Sequence, residues 1–420
     1  MRRVIETLVG FAVLTGVVVG ITTLTPAELP RVTTVEAIRS TKVVCVPAAA
    51  GATVMVDNTT TVTPLGGATT QTNRAVLTGQ ETSVVAEGTD GPTGSTIVGN
   101  DGVRTLTQCV KPVSRGVIAL PATADTQLKI VNPDASEAAI DLTLYGAEGE
   151  IQSLGARGIT LAAYEERAIA LSVLTKKATP VGVSFQASRG RAAVMAITQT
   201  QSSGTAAGPS QLGTSHLLPG IPAGATSSVI VLANPSETRI TANLTAYGTT
   251  PAYHPQGGEN ISIPSHASVS VSLENALLGE ASAIQVSSDA PVMAGMAFTL
   301  GDSAQVAPVS AGTSLGAFTP PGGALQLTNP GEGDVQATVT ATGADGTEER
   351  ATVTVGTGQT TVHKLPTATE QGQRVVVSSD QPLFGAVVSS GDTGSWAAPL
   401  ESMTKGENPP LAAELDPGLH

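Results

Sequence analysis

Apolar side chains recur at every second position in short runs, and the runs come in three copies. IVNPDASEAAIDLTLYG, VLANPSETRITANLTAYG and LQLTNPGEGDVQATVTATG align without a gap from Asn132, Asn234 and Asn329 to Gly146, Gly248 and Gly343. Leu128 and Ile130, Ile230 and Leu232, and Leu325 and Leu327 lie four and two residues before each Asn, the period of a strand with one face buried. Pro133, Pro235 and Pro330 follow. Proline cannot donate to a ladder, so each Asn-Pro pair predicts a turn, with the Asn side chain free to bond the backbone beyond it. Leu142 and Leu144, Leu244 and Ala246, and Val339 and Ala341 mark the next strand.

A hairpin follows in each copy, with Leu161 and Leu171, Ile263 and Leu273, and Val355 and Leu365 each ten apart around a polar middle. VSSDAPV (286–292) recurs as VSSDQPL (377–383), and QASRGRAA is the worn copy; Asp289 and Asp380 are expected in turns ahead of proline. Each copy closes on small residues and proline, at Pro209, Pro308 and Pro399. The period is then about 95 to 100 residues with six or seven short strands, the count of an immunoglobulin-like sandwich. A propeller blade, at roughly 40 to 50 residues, is too short for it. The expected fold is all-β, with tandem immunoglobulin-like β-sandwich repeats strung through linkers such as TQSSGTAAGPSQ. The three asparagines should therefore occupy separate domains and share no centre.

The chain opens with Arg2 and Arg3, then an uncharged run from Thr7 to Leu24, then Pro26 and Pro30. Such a run comes close to spanning a hydrocarbon core of ~30 Å, and arginines ahead of it hold the N-terminus in the cytoplasm. A single N-terminal transmembrane helix (residues 7–24) is expected, leaving the bulk of the chain outside. The competing reading is a cleaved signal peptide with Thr25-Pro26-Ala27 as its site; the run exceeds the ~7 to 15 residues of a signal h-region. The expected organisation is an anchor (1–30), an irregular β region (31–118) readable as a degenerate fourth unit, sandwich unit 1 (119–212), unit 2 (213–311), unit 3 (312–400) and a disordered acidic tail (401–420).

Composition agrees with strands over helices: charged residues make up 13%, aromatics 2%, and there are 46 Gly and 27 Pro. A net charge of -13 works against nucleic acid as a partner, because phosphate neutralisation needs clustered Lys and Arg. Cys45 and Cys109 are the only cysteines. Outside the membrane they should pair, and closing so long a loop is worth ~4 kcal/mol in the chain-entropy picture.

CVPAA near the start, three IVNP- or LTNP-type strands and SSDxPV ahead of a Gly/Ala pair resemble the actinobacterial cell-envelope family called domain of unknown function 5719. The likeness covers nearly all of the chain after the anchor. It implies a location rather than an activity, and brings no catalytic residues; where that family carries Cys-Pro, this chain has Cys45-Val46-Pro47.

Candidate chemistry is sparse. GTSLG (312–316) matches the G-x-S-x-G elbow and could recruit His363, but GAFTPPGG follows where a helix is needed. Glu165 and Glu166 are adjacent carboxylates, better read as a solvated hairpin turn than as a glycosidase pair. His216, His254, His266, His363 and His420 have no metal-binding spacing, so no metal or cofactor is expected. Sugar binding usually needs exposed aromatic platforms, and four Tyr, five Phe and one Trp leave few candidates. Trp396 should pack in the last strand of unit 3. The expectation is a noncatalytic, membrane-anchored, extracytoplasmic envelope protein acting as scaffold or partner-binding module, with an envelope protein as partner and no specific small molecule evident. The alternative is an accessory subunit or enzyme of envelope polysaccharide or glycan assembly.

Overall fold

The computed structural model describes residues 41–403 except 90, 101–102, 122–123, 177–179, 200–203, 321, 344, 367–371 and 390–394. The expected anchor, residues 1–30, and the tail from 404 lie outside the described residues. Among the described residues no helix is long and apolar enough to cross a membrane.

The described chain is all-β, built from small antiparallel sheets, and one strand plan is used four times. Counting strands within a unit, one sheet has the order first-sixth-third-fourth and the other eighth-seventh-second-fifth. The units span about 41–113, 115–210, 213–309 and 312–403. The irregular N-terminal region is therefore a full copy. Its second strand, Ala52–Asp57, pairs Val56 with Gly94 as Ile130 pairs with Val194 in unit 1, Leu232 with Ala294 in unit 2 and Leu327 with Gly385 in unit 3. Asn58 thus stands where Asn132, Asn234 and Asn329 stand. The expected boundary between 118 and 119 cuts the strand Arg115–Leu120, the first strand of unit 1.

The strand order corrects the immunoglobulin analogy. Second-with-fifth and third-with-sixth pairings are shared with that sandwich, but here the first strand pairs with the sixth and the seventh with the second. The cause is visible in Ser282–Leu300 and Gln373–Ser389, single strands that serve as sixth strand in one sheet and seventh in the other. Asp289 and Asp380, expected in turns, lie inside these strands. Pairing with the third strand ends at Ser288 and pairing with the second begins at Met293. Pro291 and its counterpart Pro382 fall at this handover, where a missing N–H breaks no bond of either ladder. Asp289 uses the gap to accept from Thr241 N (2.9 Å).

The units also pack into a closed ring, which overturns the expectation of domains strung through linkers. Val44, Val46 and Val85 of the N-terminal unit share a buried cluster with Val131, Met195 and Ile197 of unit 1. Val117, Ala119 and Tyr145 join Val231, Ala233 and Met293 of unit 2. Leu217 and Tyr247 meet Phe384 of unit 3. Leu106 of the N-terminal unit is buried in the core of unit 3, and Arg74 of the N-terminal unit donates to Gly343 O (2.9 Å) and lies over the Phe318 ring (5.3 Å). Within the supposed linker TQSSGTAAGPSQ, Gly204–Ala207 is the eighth strand of unit 1. The blade-length objection to a ring fails because each unit supplies two four-stranded sheets rather than one. Trp396 is buried in the core of unit 3 as expected, whereas Glu401–Ser402, assigned to a disordered tail, pairs with Leu315 and Gly316.

Candidate functional site

The eighth strands and the residues after them surround the ring axis. Leu106, Val110, Ala206, Pro209, Pro308 and Leu400, drawn from all four units, line an axial cavity of about 290 Å³. Small residues make this approach possible: a Cβ on Gly208 would come within 2.9 Å of Val110 Cγ1. Gln305 donates to Thr198 Oγ1 (3.4 Å) between units 2 and 1, Ser395 Oγ donates to Leu300 O between units 3 and 2, and Lys111 pairs with Glu401 (3.5 Å) between the first and last units.

The three sequence-predicted asparagines do not meet at this axis. Asn132, Asn234 and Asn329 are buried, each in its own turn. Their Oδ1 atoms accept from the backbone N of Asp134 (3.1 Å), Ser236 (2.8 Å) and Gly331 (3.0 Å), just past Pro133, Pro235 and Pro330. Nδ2 donates to the O of Ser136, Thr238 and Gly333, and reaches the hairpin at Ala162 (2.8 Å), Pro264 (3.1 Å) and Val355 (3.3 Å). The repeated asparagine is thus a clasp between turn and hairpin. Cys45 and Cys109 are joined as a disulfide, with Cα atoms 4.1 Å apart, between the first strand and the end of the eighth strand of the N-terminal unit.

Among the described residues, three of the ion pairs cross between units, and others lie beside these junctions. Asp134, in the first Asn-Pro turn, pairs with Arg191 (2.8 Å) and, across the junction, with Lys42 (2.9 Å). The Arg191 hydrogen bond, helped by Lys42 and opposed by partial burial, holds its carboxyl down at about 2. Glu166 pairs with Lys129 (3.2 Å) and accepts from Ser83 N of the N-terminal unit (3.0 Å), while Glu165 accepts from Ala162 N (2.6 Å) and pairs with Arg167. The expected solvated turn is instead half of an intermodule contact, because the hairpin tip abuts the preceding unit. The same holds in unit 2, where His266 stacks on Tyr145 of unit 1 at 6.2 Å between centroids.

The remaining candidates are dispersed. Ser314 lies within the strand Gly312–Thr319, with no helix after it, and His363 is in the strand Gln359–Lys364. His216 is buried and donates from Nε2 to Val292 O (2.9 Å), and desolvation lowers its pKa. His254 donates from Nδ1 to Leu244 O (2.8 Å); His420 lies outside the described residues. Among the described residues no three His, Cys, Asp or Glu side chains gather as a metal site.

Two further cavities lie at unit junctions, each about 780 Å³. One is lined by Lys42, Thr61, Thr63 and Leu65 of the N-terminal unit, with Pro133 and Tyr164 of unit 1. The other uses the register-equivalent Arg115, Asp141, Thr143 and Tyr145 of unit 1, with Pro235 of unit 2. Sequence reading missed both, since each combines residues from neighbouring units.

No curated protein matches the chain. A solved structure described as a tetra-tandem repeat in the extending region of a large adhesion protein is 13% identical over 87% of this chain and 100% of that one, with a TM-score of 0.10, too low to support any inference. A family model described as a family of unknown function, DUF5719, matches residues 68–365, from the N-terminal unit into unit 3. That match runs through all four units, and the chain belongs to the DUF5719 family.

Proposed function

We propose that this is a noncatalytic envelope protein of actinobacteria, held in the cell membrane by residues 7–24 and presenting its ring outside the cell as a scaffold or partner-binding module. The observation that carries this reading is the Cys45–Cys109 disulfide, since such bonds persist in oxidising compartments and are rare in the cytosol. The uncharged run behind Arg2 and Arg3 supplies an attachment, and the ring a compact body on which grooves recur at equivalent junctions. A protein partner fits this plan better than a reaction, because Glu166, His266 and His216, three of the titratable groups a reaction could draw on, are engaged in contacts within and between units. Protease applied to intact spheroplasts should remove the ring and leave a membrane-bound fragment containing Val4 to Leu24. Detergent extraction of the full chain should then co-purify an envelope protein in fixed ratio. A mature chain beginning near Glu28, or a ring protected from protease, would overturn the proposal.

A further inference from the structure

We propose that the groove between the N-terminal unit and unit 1 binds a neutral carbohydrate chain, with Tyr164 as its stacking platform. The residue is singled out by comparison with its counterpart. Tyr164 and His266 hold the same place at the tip of the hairpin in units 1 and 2, both with left-handed backbone (φ 58° and 52°), and unit 3 has Gly358 there (φ 65°). Glycine meets that conformation without steric cost, whereas a bulky side chain is retained there against a penalty of about 1 kcal/mol or more. His266 has a reason to be there, since its ring covers Tyr145. At the position equivalent to Tyr145 the N-terminal unit has Leu65, and Tyr164 remains 48% exposed at the lip of the groove. An aromatic side chain thus stands in a strained backbone position and is about half exposed.

The chemistry of the groove selects the ligand. Its lysine, Lys42, is committed to Asp134 and Pro133 O, so among the described residues lining the groove no free cation awaits an anionic group. Hydroxyls dominate what is left: Thr63 and Thr69 share a bond of 2.9 Å at the surface, and Thr61 lies beside them. A volume of about 780 Å³ is within the range of roughly 300 to 1,000 Å³ usual for ligand sites. The floor is the face of a sheet, with Thr61 and Thr63 on one strand and Val85 and Glu87 on its neighbour. A peptide adding as a strand needs a sheet edge instead. A sugar chain satisfies all of these features, with C–H faces for the Tyr164 ring and hydroxyls for the threonines.

The proposal goes beyond the scaffold reading and does not require the chain to lack activity. The full chain, in a detergent without a sugar headgroup, is mixed with cellotetraose, maltotetraose or α-1,6-mannotetraose and read by saturation-transfer NMR. Transfer to the ring protons of at least one tetrasaccharide is expected, kept in Tyr164→Phe and reduced at least fivefold in Tyr164→Gly. Tyr164→Gly should also raise the melting temperature, which separates a binding residue from a structural one. Three results would overturn the proposal: no transfer to any of the three, equal transfer in the Gly variant, or a lower melting temperature in that variant. Stronger Tyr164-dependent transfer to capped hexaproline than to any sugar would overturn it too, in favour of a peptide site. Co-purification of a protein partner is unaffected by any of these outcomes.

Discussion

Lys42 Nζ lies 2.9 Å from Asp134, joining the first strand of the N-terminal unit to the Asn-Pro turn of unit 1. The same carboxylate receives Arg191 of its own unit, so one aspartate holds two cations, one of them across the junction. Its folded pKa, about 2, is below the ordinary 3.8. A depressed acid contributes stability that is fully present above the unfolded value and is lost as pH falls through the folded one. Melting temperature should therefore drop between pH 4 and about pH 2, with a contribution from Asp134 of about 1 to 2 kcal/mol after allowing for solvent screening. In Asp134→Asn the melting temperature at pH 7 should be lower and that part of the acid loss absent; an unchanged acid profile would refute the assignment.

Replacing Asn132, Asn234 or Asn329 by Ala should cost about 2 kcal/mol each, more than a single hydrogen bond, because buried carbonyls on turn and hairpin lose their donor together. Asn→Asp should be no better, since it keeps the acceptor and loses the donor. Segment-resolved hydrogen exchange should place the loss in the mutated unit first. A uniform loss of protection around the ring, or a cost under about 0.5 kcal/mol, would count against the clasp.

Removing the disulfide should be felt beyond its own unit. Cys45→Ala with Cys109→Ala should lower stability by about 4 kcal/mol. Leu106, three residues before Cys109, is buried in unit 3, so exchange should also quicken in Gly312–Thr319. Protection there that matches the parent protein would show the first and last units to be uncoupled.

Gly295→Ala tests the junction of units 1 and 2. A Cβ at this position would sit 2.2 Å from Ala119 O, a backbone atom that cannot turn aside. Overpacking of this kind costs about 1 to 3 kcal/mol, and a thermal melt with no shift would mean that the units stand further apart.

How far the sequence could be read depended on side-chain size. Leu128, Ile130 and Asn132 and their copies carry period and turn chemistry together, so three units were legible. The fourth was less so, because Asn58 is followed by Thr59 where the others have proline, although Val54 and Val56 keep the spacing of four and two. The ring was not legible. Its axis is lined by strands such as Gly204–Ala207 and Trp396–Pro399, too short and too rich in alanine to alternate visibly, and their partners lie in other units. The junction grooves were hidden for the same reason: Leu65 and Tyr164 are far apart in the chain and line one groove only because neighbouring units pack together.

The disulfide also has a mechanical meaning. Thr41–Cys45 is the first of the described strands, so tension applied to the ring from the N-terminal side would enter there. Backbone bonds to Val84–Gly88 alone could unzip under such a pull, one pair after another. Cys45 ends that strand, and its bond to Cys109 passes the load covalently to the wall of the axis, where neighbouring strands of four units share it. Peeling of the first strand would therefore stop at Cys45 rather than run on into the unit.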